Sequence, residues 1–284
     1  MKITPKKLIL DLVLASNDLP LSAKEAVAAC GLFDIGETSS RVALTRLLAD
    51  GLIKSVERGV YQLGPNAIEL ADEVSARRTI DRTVRAWSGD YITVFTATLG
   101  RVDRTALLRR ERALKMVGFR ELEKGLYIRP DNIDPDLTVV MDQLKYLGVE
   151  SGAIIARASG FEAAIKSRIQ KLWDGDALTR SYRVLSEKLE TWMTNADQLP
   201  LDKAARESLI LGSSAIHQVV FDPLLPEPLV DTKARDNFFK VVRRFDEVGK
   251  EIWHQLRQDG FVVVPSTQMK RTHTPTVPIE QFSV

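Results

Sequence analysis

The residues best suited to chemistry lie between Glu37 and Leu63, in ETSSRVALTRLLADGLIKSVERGVYQL. At about 100° per residue, Leu44, Leu47 and Leu48 mark one face of a helix, and Ser39, Val42 and Arg46 fall opposite, with Ala43, Thr45 and Ala49 on the shoulders. A short cationic face of small and hydroxyl-bearing residues suits close approach to the major groove of double-stranded DNA. On this reading Ser39, Ser40, Arg41, Thr45 and Arg46 meet the groove. A guanidinium offers a guanine edge two parallel donors, so Arg41 is the candidate base reader, worth about 1 to 3 kcal/mol of discrimination. Arg46, Lys54 and Arg58 are candidates for phosphate contacts, which position without specifying.

Chemistry of other kinds finds little support. His217, His254 and His273 are far apart and accompany no cysteine or carboxylate cluster at metal-ligand spacing, so no metal is expected. Neither a glycine-rich phosphate loop nor a nucleophile elbow occurs, so no catalytic residue and no cofactor is assigned and the chain is not read as an enzyme. Cys30, the single cysteine, lies on an apolar helix face, where packing is the expected role; alone it excludes an internal disulfide framework.

The elements around the recognition stretch follow from spacing. Thr38, Ser39 and Ser40 offer oxygens to cap its helix, Asp50-Gly51 ends it, and Glu57-Arg58-Gly59 makes a tight hairpin. Lys6 to Ala15 forms a preceding helix with Leu8, Ile9, Leu12 and Val13 inward. Ser22 to Cys30 forms the next, with Ser22 and Glu25 as a capping box. Helix, helix, recognition helix and hairpin resemble the winged helix-turn-helix of GntR-like bacterial repressors. In that superfamily the groove-facing positions correspond to Thr38, Ser39, Arg41 and Arg46, and the wing tip to Arg58.

With 284 residues, 44% of them hydrophobic, the chain can fill two or three cores. Its apolar runs fall short of the roughly 18 residues a membrane span needs, and no signal peptide is seen, so a cytoplasmic protein with no membrane partner is expected. Net charge is +2, and Asp34, Glu37, Asp50 and Glu57 lie close to the proposed DNA face. Binding therefore depends on local arrangement, doubled by dimerisation.

Asn66 to Ser75 continues as a helix, and Arg77-Arg78 through Arg85 is a basic connector. Then come a central strand in Tyr91 to Thr98, a helix over Asp103 to Val117 with Leu107, Leu108, Leu114 and Val117 apolar, and strands at Phe119 to Glu121 and Leu126 to Arg129. A helix capped by Asp134 or Asp136 and an extended segment within Val149 to Ala156 complete a ferredoxin-like βαββαβ order. Beyond Phe161, apolar stripes define a mainly helical region, interrupted by the proline-rich crossing Phe221 to Leu229. The expected class is α+β. Residues 1–75 form the winged helix-turn-helix, 76–160 the ferredoxin-like middle, 161–266 the helical C-terminal domain and 267–284 a mobile tail.

This layout resembles the PaaX-type repressors of phenylacetic acid catabolism. The matching pieces are Ser39 to Leu44 with the wing, Trp87-Ser88-Gly89-Asp90-Tyr91, Arg104 to Arg109, Gly118-Phe119, Gly125 to Pro130, and Asp222-Pro223-Leu224-Leu225-Pro226. The sequence departs where Tyr91 replaces a second tryptophan and where Val230 to Lys233 lacks a tryptophan and glycine. The resemblance implies a homodimeric repressor that leaves its operator when an aryl-CoA thioester such as phenylacetyl-CoA binds. The cationic middle segment supplies candidates for the phosphates of such an effector: Arg104, Arg109, Arg110 and Arg129, within a set that includes Arg101, Arg112, Lys115, Arg120 and Lys124.

Two other classes compete. The middle segment resembles the small endoribonuclease of CRISPR adaptation, which would make the chain a nucleic-acid-processing enzyme, but its first strand ends at Thr98-Leu99-Gly100 without a carboxylate to hold a metal. A non-catalytic interaction module is the other alternative; salt-insensitive association would mark it.

Overall fold

The computed structural model describes residues 3–15, 20–67, 84–133, 136–258 and 260. They form an α+β protein in three parts, as expected.

The first part comprises α1 (Pro5–Ala15), β1 (Leu21–Ser22), α2 (Ala23–Gly31), α3 (Glu37–Ala49), β2 (Ile53–Glu57) and β3 (Val60–Leu63). Its sheet has the order β1-β3-β2, all antiparallel, with Gly59 at φ 76° in the turn between β2 and β3. The capping box of α2 is present in both halves: the Glu25 amide donates to the Ser22 hydroxyl at 3.1 Å, and the Ser22 amide donates to the Glu25 carboxylate at 2.8 Å. Leu8, Ile9, Leu12 and Val13 of α1 meet Leu44 and Leu47 of α3 in one core, with Cys30 buried among them. Burial pushes the Cys30 thiol up, which suits packing and not nucleophilic attack.

The second part runs β4 (Tyr91–Phe95), α4 (Arg104–Met116), β5 (Arg120–Glu123), β6 (Leu126–Pro130), α5 (Leu137–Tyr146) and β7 (Ile154–Ala158). The sheet order is β5-β6-β4-β7 with every neighbouring pair antiparallel. This is the ferredoxin-like topology, with β4 central as expected. Asp103 and Asp136 cap the two helices. Because side chains alternate along a strand, β4 sends Ile92 and Val94 toward α4 and α5 and Tyr91 toward the helical region. Arg85, at the end of the basic connector, is drawn in: it donates to buried Asp131 at 2.5 Å and to the Ile133 carbonyl at 3.2 Å. Arg77 and Arg78, and most of the helix expected from Asn66 to Ser75, lie outside the described residues.

The third part contains α6 (Ala163–Gln170), α7 (Gly175–Asn195), α8 (Leu201–Val220) and α9 (Thr232–Gln258). The aromatic stripes are core: Tyr182 stacks on Phe238 at 5.7 Å and Trp192 meets Phe245 at 5.1 Å. The proline crossing between α8 and α9 is buried from Asp222 to Pro226 and joins this part to the sheet. Asn132 donates to the Leu224 carbonyl at 2.7 Å, Tyr182 donates to Asp222 at 2.6 Å, and Arg235 donates to the Leu225 carbonyl at 2.7 Å. Gly118, at φ 87°, lies so close that a Cβ would come within 2.7 Å of the Pro223 oxygen. The tail expected beyond residue 267 lies outside the described residues.

Candidate nucleic-acid interface

The exposed face of α3 is held outward by the core beneath it. Leu44 and Leu47 anchor the helix, Leu48 is half-buried, and Thr38, Ser39, Arg41, Val42, Thr45 and Arg46 all face solvent. Val42 keeps 44% of its surface exposed, which leaves room for close approach by a partner. Lys54 and Arg58 are exposed on the β2-β3 hairpin.

Two details differ from the sequence reading. Gly36 is the N-cap of α3 and supplies no side-chain hydrogen bond, so the helix starts earlier than a cap at Thr38, Ser39 or Ser40 would place it. Ser40 is fully buried: its hydroxyl donates to the Gly36 carbonyl at 3.1 Å, and it offers nothing to a groove. The reason is helical period, since Ser40, Leu44 and Leu47 share one stripe at i, i+4 and i+7.

The acids near this face are largely matched. Asp50 pairs with Lys6 of α1 at 2.5 Å, and Asp34 pairs with Arg206 of α8 at 3.2 Å. Glu37 pairs with Arg41 at 2.7 Å, an exposed i, i+4 contact of the kind worth only about 0.3 to 0.5 kcal/mol. A phosphate or guanine edge can therefore compete for the Arg41 guanidinium at small cost. Thr45 donates to the Arg41 carbonyl at 3.1 Å, leaving its oxygen lone pairs on the exposed surface.

The four arginines considered for an effector separate into two kinds. Arg104 and Arg109 are exposed, the latter with its stem laid against Gly148. Arg110 is only 2% exposed; it donates to Glu150 at 2.8 and 2.5 Å and to the Gly100 carbonyl at 2.9 Å. Arg129 is 1% exposed and donates to the carbonyls of Val117 and Pro130 and to Asn132. Arg110 and Arg129 are thus internal hydrogen-bond donors and present no cationic surface to a ligand. Leu108, expected inward, is instead exposed, and Arg110 occupies the buried stripe with Ala113, Leu114 and Val117.

Among the described residues no group of His, Cys, Asp or Glu is arranged to hold a metal. Burial pushes Tyr91 up, and Tyr127 up to about 12, so neither phenol on the middle sheet is tuned for proton transfer near neutral pH. Among the described residues no helix is long and apolar enough to cross a membrane.

The fold and this surface define a three-part protein of the kind that carries a winged helix on a larger body. Residues 173–255 match the family described as PaaX-like protein C-terminal domain, so this stretch is similar to that domain. The fold is similar to that of a solved structure described as the uncharacterized protein Rv0674 from Mycobacterium tuberculosis. The two share 21% identity and a TM-score of 0.59, over 91% of this chain and 98% of that one. No curated protein matches the chain at a significant level.

Proposed function

We propose that the protein is a DNA-binding transcriptional regulator, a homodimeric repressor that leaves its operator when an aryl-CoA thioester such as phenylacetyl-CoA binds. The observation that carries the reading is the outward face of α3, where Ser39, Arg41, Thr45 and Arg46 stand clear of a leucine-anchored core beside an exposed wing bearing Lys54 and Arg58. The match of residues 173–255 to the PaaX-like C-terminal domain supports the regulator class. Arg104 and Arg109 remain the candidates for contact with an effector's phosphates. Three parts are proposed to act as domains with boundaries near residues 75 and 160. The setting is cytoplasmic, and the chain is read as a regulator and not as an enzyme.

The mechanism is thermodynamic coupling. Two recognition helices of a dimer engage half-sites about 34 to 36 Å apart, or a multiple of that. An effector that binds better to a dimer of different spacing weakens operator binding by its differential affinity for the two states.

The test is a gel shift on DNA upstream of the protein's own gene, across a salt series. Operator affinity should fall steeply as salt rises, and Arg41→Ala should weaken it about 5- to 150-fold and relax base preference at one position of each half-site. Unchanged affinity and preference in both Arg41→Ala and Arg46→Ala would overturn the reading. Binding to a protein partner that is insensitive to salt would favour the interaction module instead.

A further inference from the structure

A cavity of about 700 Å³ lies where the three parts meet, partly open to solvent. Four helices each present one face to it. From the DNA-binding part, α1 contributes Leu10 and Leu14; from the ferredoxin-like part, α4 contributes Arg112 and Met116; α8 contributes Ile216 and α9 contributes Val242. The space exists because small residues stand where the two long helices meet: Ser208, Gly212 and Ser213 on α8 and Gly249 on α9. A volume of this size is within the usual range of small-molecule sites, about 300 to 1,000 Å³.

We infer that this cavity binds an uncharged apolar group, an aromatic ring or short acyl chain, and that the bound group acts on the DNA-binding part through α1. The inference deepens the regulatory reading above by giving the effector's aryl or acyl group a site, its phosphates staying outside the cavity, and it rests on that reading for its consequence. The chemistry follows from the lining. Its walls are predominantly aliphatic and aromatic, and its ionic groups balance: Lys7 pairs with Asp11 at 2.6 Å and Lys250 with Asp246 at 2.8 Å, while Arg257 pairs with Glu25 at 2.9 Å. Arg112 has no ion-pair partner among the described residues, and with Glu247 and Glu251 also in the lining, the four cations that line the cavity meet four carboxylates there. No net field selects an anion, so apolar area does the selecting.

The coupling is one helix long. α1 turns Leu10 and Leu14 to the cavity and Leu8, Ile9 and Val13 to the core it shares with α3. A group that wedges α1 away from α8 therefore changes the seat of the recognition helix. The polar link between those helices, Ser213 donating to Asp11 at 3.4 Å, is long and easily displaced.

The experiment is a fluorescence titration of the full-length protein, without DNA, with the neutral dye N-phenyl-1-naphthylamine. Saturable binding at one site per chain is expected, with energy transfer from Trp253, which lines the cavity. Ile216→Trp and Ser213→Phe, checked for folding by circular dichroism melts, should each weaken binding at least about tenfold, the effect of roughly 1.4 kcal/mol. Trp253→Phe should lower the energy transfer, with Trp192 beside Phe245 supplying part of the remainder, a readout that stands even if both filling variants fail to fold. Val184→Trp, at an exposed position on α7, should change nothing. Absence of saturable binding, or binding and energy transfer unaltered by these cavity variants, would overturn the site. Binding of the anionic dye anilinonaphthalene sulfonate more than about tenfold tighter than the neutral dye would overturn the chemical class. Neither failure touches the DNA reading, which the gel shift of Arg41→Ala decides separately.

Discussion

Glu150 is the residue on which the middle part's buried charge depends. It faces Arg110, and the hydrogen bonds from that guanidinium hold the Glu150 carboxyl below its ordinary value of 4.5. A carboxylate with a depressed folded pKa contributes stability that is full above 4.5 and is lost as pH falls through the folded value. Glu150→Gln should therefore cost about 1.5 to 3 kcal/mol in urea unfolding at pH 7, the range for hydrogen bonds to charged groups, and less at pH 3. Equal losses at both pH values would show that the ion pair is not the cause. The same stripe shows what was legible at this scale. Arg110, Ala113, Leu114 and Val117 recur at i, i+3, i+4 and i+7, so period alone assigns Arg110 to the buried face, and the residue's charge misdirects the reading. Ser40 is the same case in α3.

At the scale of elements, local rules account for starts and turns. The capping box at α2 is visible in the sequence as Ser22 and Glu25, and Ser22→Ala should cost about 1 kcal/mol, read as a lowered melting temperature. Gly118 answers to a longer-range demand. Its positive φ and the nearness of Pro223 leave no room for a side chain, so Gly118→Ala should cost about 1 to 3 kcal/mol and loosen the crossing between α8 and α9. Faster hydrogen exchange at the Leu224 amide would report that loosening; full protection there with unchanged stability would count against it. The amide is held by Asp222, whose side chain accepts from it at 2.8 Å. Gly118-Phe119, Arg129-Pro130 and Asp222 to Pro226 meet in this region.

The whole molecule is held together by contacts that join the N-terminal part to the long helices. Trp253 of α9 packs against both the winged-helix core and the C-terminal core, Arg206 lies over Phe33 at 5.6 Å, and Arg257 donates to Glu25 at 2.9 Å and to the Pro20 carbonyl at 3.0 Å. Burial pushes Glu25 up, but hydrogen bonds from the Ser22 amide and hydroxyl, and from Arg257, outweigh it and leave the carboxyl below 4.5. Its contribution is therefore present above pH 4.5 and is lost as pH falls through the lowered value. Trp253→Ala should cost on the order of 2 kcal/mol and split the calorimetric transition, the N-terminal part melting first. A single transition with unchanged midpoint would mean that the parts are not coupled through α9.

The sequence alone determined the α+β class, the βαββαβ order, most of the exposed face of α3 and the cap of α2, because helical period, strand alternation and capping are set by residues within a few positions of one another. It could not show that Arg129 is sealed beneath a crossing more than ninety positions away, that Asp34 and Asp50 are matched by Arg206 and Lys6, or that α1, α4, α8 and α9 enclose a cavity. Those depend on which surfaces meet when the parts pack, and that is decided by the summed burial of three cores and not by any local pattern.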